Sequence, residues 1–122
     1  EHSVKNSASY DIIAKIIQTN IDTGSDLIVD ISLAHNPYLK QFLSKIDFNN
    51  SQLFQFFCIC SNNEEWNKRI EKRLVNPLPN QLFKSVKEAE EHYSEPLENE
   101  VIIDSIDDIS VILESIYDVL KF

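Results

Sequence analysis

One glycine, Gly24, serves all 122 residues. A loop that cradles phosphate needs several, because bound phosphate leaves no room for Cβ and the backbone must turn through positive φ. Gly24 also precedes the apolar run Leu27-Ile28-Val29 instead of following it. The chain therefore carries neither the G-x-x-x-x-G-K-[ST] loop nor the G-x-G-x-x-G loop. It also lacks methionine, so Glu1 is expected to be a cut end and these residues the later part of a larger domain.

An apolar content of 43% with only four prolines predicts a folded globule, and the length suits a single domain spanning 1–122. The formal net charge of −9 disfavours nucleic acid and anionic membrane as partners, since both need a basic surface. The apolar runs are shorter than a membrane span. Cys58 and Cys60 sit two apart on an expected strand, with side chains on one face, where a disulfide between them would be strained. Buried, reduced thiols are expected, which suits a cytoplasmic protein.

Hydrophobic periodicity predicts a helix over 8–23, capped by Ser7 or Ser9 and ended by Gly24. A strand is expected at 26–31, apolar on both faces and so inside a parallel sheet. A helix opens at Asn36-Pro37, with Leu39, Phe42, Leu43 and Ile46 as its buried stripe. The next strand is expected at 53–60. Ser61-Asn62-Asn63-Glu64 reads as a capping box for a helix to about residue 74, with Trp66, Ile70 and Leu74 inward. Ser85-Val86-Lys87-Glu88 opens a short helix to Tyr93. A third strand is expected at 101–104. Ser105-Ile106-Asp107-Asp108 then caps a last helix whose Ile109, Ile112, Leu113, Ile116 and Leu120 face inward. Strands alternating with helices define an α/β chain, a parallel sheet with flanking helices in three layers. Three strands make a narrow sheet for this many helices.

Ligands of open α/β sheets sit beyond the carboxyl ends of the strands. Asp30-Ile31-Ser32, Cys60-Ser61-Asn62 and Asp104-Ser105 fall there. Asp30 closes an apolar strand, where a carboxylate either holds magnesium through its waters or caps the turn. Asp104 has the same two readings. Lys68, Arg69, Lys72 and Arg73 form the one basic cluster of the sequence. Arg69 and Arg73 share a helical face and suit a phosphate group; equally, Glu64 with Lys68 and Glu65 with Arg69 make ordinary i,i+4 pairs. Ser32, His35 and Ser61 are candidates for lining a site. No nucleophile–base pair is present, and Trp66 reads as core.

The order Leu27-Ile28-Val29-Asp30, the strand ending Cys58-Ile59-Cys60-Ser61, the segment Glu65-Trp66-Asn67-Lys68-Arg69-Ile70-Glu71-Lys72-Arg73 and the strand Val101-Ile102-Ile103-Asp104 resembles the later half of P-loop kinase-like ATP-binding proteins (the AAA-domain, polynucleotide-kinase-like or zeta-toxin-like kind). The resemblance implies an incomplete P-loop nucleoside triphosphatase fold. Asp30 would lie near magnesium and phosphates, and Arg69 and Arg73 on a lid, about 61–93, that closes over nucleotide phosphates. It implies ATP and Mg2+ as ligands, and phosphoryl transfer or ATP hydrolysis as the reaction of an intact parent. The glycine-rich loop, its lysine, its magnesium-binding hydroxyl and the first two family strands are absent, so this chain alone is expected neither to bind nucleotide nor to catalyse. The other reading is a non-catalytic α/β protein-interaction module, which associates with itself or with a missing N-terminal segment through a bare sheet edge and apolar surface.

Overall fold

The computed structural model describes residues 2–31, 36–77, 83–92 and 95–121, with 2–7, 36 and 92 described as backbone only. The described residues form five helices and a two-stranded parallel sheet, a mixed α/β content. The chain divides into two compact units, Glu1–Leu53 and Phe54–Phe122.

The first unit holds α1 (His2–Asp22) and α2 (Asn36–Leu43). Helix α1 begins before the expected 8–23 and runs through Ser7 and Ser9, so neither serine caps it. Gly24 ends it at φ +71. The Ser25 N–H donates to the Asn20 carbonyl at 2.9 Å and the Gly24 N–H to the Ile21 carbonyl at 3.0 Å. These are the paired bonds of a Schellman cap, which needs a left-handed residue between them. Ala14, Ile17, Phe42 and Ile46 form the buried centre, and Tyr10 meets Phe42 edge-on at 6.1 Å. Burial of a side chain such as Phe42 contributes roughly 1.5–3 kcal/mol. Ile46 lies past the end of α2 and reaches this core through tightened turns, including a bond from its N–H to the Leu43 carbonyl. Gln18 closes the far end: its amide donates to the Asp47 carbonyl at 3.0 Å and accepts from the Asp47 N–H at 2.8 Å.

The expected strand at 26–31 does not form. A strand apolar on both faces needs neighbouring strands to pair with and layers that cover both faces, and the first unit contains no other strand among the described residues. Leu27, Ile28 and Val29 stay exposed, Ile28 completely, and only Ile31 packs against the core.

The second unit runs β1 (Gln55–Ile59), α3 (Asn63–Val75), α4 (Val86–His92), β2 (Glu100–Asp104) and α5 (Ile109–Leu120). Strands β1 and β2 pair in parallel, with Gln55 opposite Glu100 and Ile59 opposite Asp104. The expected strand at 53–60 shortens at both ends, and Leu53 and Phe54 remain exposed. The connection between the strands carries α3 and α4, which touch each other. Ile70, Val86, Ala89 and Ile103 are the buried apolar residues of this unit among those described. Cys58 is exposed and Cys60 half-buried, both as free thiols, so the expected burial of Cys58 is not found.

Three caps are legible as motifs, and one of them sits where its motif places it. Ser85 accepts from the Glu88 N–H at 3.2 Å while the Glu88 carboxylate accepts from the Lys84 N–H at 2.8 Å. In α3 the cap is Asn62, not Ser61; its side chain accepts from the Glu65 N–H at 3.1 Å. In α5 it is Asp108, not Ser105, accepting from the Ser110 N–H at 2.9 Å. Serine, asparagine and aspartate cap about equally well, so the two shifts follow where each helix starts, at Asn63 and Ile109. The inward faces move with them. Leu74, Ile109 and Leu113 are exposed, whereas Ile112, Ile116 and Leu120 are half-buried.

Candidate functional site

Strand β2 ends on Asp104 and β1 is followed two residues on by Ser61, and these polar residues meet. The Ser105 N–H donates to the Ile59 carbonyl at 2.9 Å, extending the ladder past β2. The Asp104 carboxylate accepts from the Ser61 N–H at 3.1 Å and the Ile106 N–H at 3.3 Å. The Ser61 hydroxyl, assisted by these backbone amides and the nearby Arg69 charge, holds the Asp104 carboxyl below its ordinary value.

Arg69 reaches the same corner from α3. Its Nε donates to Glu65 at 3.0 Å, one Nη to the Ser105 hydroxyl at 2.7 Å and the other to the Ser105 carbonyl at 3.2 Å. Every nitrogen of the guanidinium is thus engaged, and the group ties α3 to the turn that leads into α5. The Glu65–Arg69 pair expected from spacing is one half of that tie. The Ser105 half carries no sequence signal. Arg73, one turn further along α3, is exposed.

Of the sequence-derived candidates, Ser61 and Arg69 come together at this corner with Asp104. Asp30 belongs to the first unit, is exposed, and borders a shallow groove of about 280 Å³ lined by Ile13, Ile16, Ile17 and the 27–31 run. Ser32 and His35 lie outside the described residues. Among the described residues no group of three His, Cys, Asp or Glu side chains is placed to hold a metal ion. No helix among them is long and apolar enough to cross a membrane.

The largest departure from sequence expectation is α5. Ile109, Leu113 and Tyr117, four apart and so on one helical face, are 66%, 42% and 53% exposed, and no residue of the helix is fully buried. A signal for this is present in the sequence: Ile112, Ile116, Val119 and Leu120 adjoin the stripe in one broad apolar arc opposite Ser110, Glu114 and Asp118, and only the Ile112–Ile116–Leu120 side of that arc is half-buried.

Comparison with protein-family models, curated proteins and solved structures finds no match for this chain.

Proposed function

We propose that this chain is a non-catalytic α/β protein-interaction module whose binding face is the Ile109–Leu113–Tyr117 stripe of α5. The carrying observation is that stripe's exposure. Contiguous apolar surface left in water is a feature of association sites. Two further observations support the reading. Among the described strands, β1 and β2 each leave one edge unpaired, and an open edge invites another chain. The polar corner of Arg69, Ser105 and Asp104 spends its donors and acceptors on holding α3, β2 and α5 together, and so serves as scaffold. A photo-cross-linking residue at position 113, introduced in the cells that make the protein, is expected to give covalent adducts with a protein partner; reaction with water alone contradicts the proposal.

A second reading is favoured by the parallel β1–β2 pair with Arg69 at its carboxyl end. In it the chain is the C-terminal part of an ATP-binding, kinase-like P-loop protein, with ATP and Mg2+ as ligands of the intact parent. Among the described residues Asp30 belongs to no group of three His, Cys, Asp or Glu side chains placed to hold magnesium, so the metal would depend on residues elsewhere. Calorimetric titration of these 122 residues with magnesium-ATP is expected to give no binding heat. Tight binding contradicts both readings; binding that appears only when a glycine-rich loop segment is joined to the chain favours the second.

A further inference from the structure

The charges of the second unit are segregated along the chain. Residues 88–120 hold eleven acidic side chains and no lysine or arginine, whereas 68–87 hold six basic side chains and one acidic. Both ends of this polarity are displayed on helices. On α3, Lys68, Lys72 and Val75 follow one another at helical spacing, all exposed, with Val75 at 88%. On α5, Glu114 and Asp118, again four apart and exposed, run beside Leu113 and Tyr117. Among the described residues the ion pairs are Lys45–Asp11 and Arg69–Glu65. Lys68, Lys72, Glu114 and Asp118 take part in neither.

Resting on the reading of α5 as an interaction face, we propose that its partner is a second copy of this chain, docked so that the Lys68–Lys72–Val75 stripe of one protomer lies along the acidic margin of the α5 stripe of the other. Charge complementarity selects this occupant. The spacing of the two lysines matches that of Glu114 and Asp118, and Val75 extends the apolar strip. A two-fold arrangement makes the contact twice and closes. With a net charge of −9 on each chain, two copies repel overall, and a contact that sets the basic helix against the acidic one offsets that repulsion locally.

The test is sedimentation of the purified chain across a wide dilution series. The wild type is expected to show a reversible monomer–dimer equilibrium. The variant with Lys68→Glu and Lys72→Glu, and the variant with Glu114→Lys and Asp118→Lys, should each weaken self-association by at least about tenfold. Mixing the two variants should restore a dimer, because one of its two contacts then pairs a native lysine stripe with a native acidic margin and the other pairs the same charges exchanged. Circular dichroism checks that each remains folded, and the milder pair Lys72→Gln and Asp118→Asn gives the same direction if either does not. A wild type that stays monomeric, or a mixture that dimerises no better than its components, overturns the inference. In that event adducts from position 113 to a different protein leave the interaction-face reading standing, while absence of any adduct removes it as well.

Discussion

Asp104 shows how far a single residue can be read from the sequence. Its place at the carboxyl end of a strand is visible there, and magnesium and capping are both open to it. The structure engages it with the Ser61 and Ile106 amides, beside an Arg69 that is itself bonded to Ser105. The contacts to Ser61 and Ser105 join residues separated by 36 to 43 positions, beyond the reach of spacing rules that govern one helix or one turn. They carry a pH signature. Asp104 is held below its ordinary value of 3.8, first by the Ser61 hydroxyl, and Asp108 likewise by the Ser110 amide and hydroxyl. A carboxylate with a depressed folded value contributes stability that is fully present above its unfolded value and is lost as pH falls through the folded one. Urea unfolding of the wild type is therefore expected to show declining stability below 3.8. Asp104→Asn, which keeps an acceptor oxygen but cannot ionise, should flatten that decline; an unchanged acid profile contradicts the role given to the charge.

At the scale of elements, local chemistry is legible in the sequence and partnership is not. Gly24 announces the end of α1 because only a left-handed residue completes that cap, and the cap is there. A Cβ at Gly24 meets nothing within 4 Å, so substitution is penalised through the backbone alone. Gly24→Ala is expected to destabilise the first unit by about 1 kcal/mol, and Gly24→Asn by less, because asparagine tolerates positive φ. Thermal or urea melts measure this; an alanine variant as stable as the wild type would show that the left-handed turn is not required. The run 26–31 fails as a strand for a complementary reason. Its sequence is that of a strand buried on both faces, but strand formation depends on neighbours that the first unit does not contain among its described residues. The same dependence governs α5, where apolar spacing gives the helix correctly but cannot say which margin of its apolar arc is covered.

For the whole molecule, the decisive features are two compact units and a second unit whose apolar and charged surfaces are unspent. The parallel pairing of β1 and β2 and the helices between them are legible because alternation of strand and helix dictates a crossover. The width of the apolar arc of α5 is legible too, but which side of it stays exposed is not, because exposure is a property of the assembled fold. An isolated domain gains stability by burying such residues, and here Ile109, Leu113 and Tyr117 keep theirs for another surface. Photo-cross-linking scanned along α5 asks the question most directly. Probes at positions 109, 113 and 117 should give adducts with another chain, while probes at 112 and 116 should react within their own. Adducts to another chain from 112 and 116, or none from the stripe, would contradict the assignment of that face.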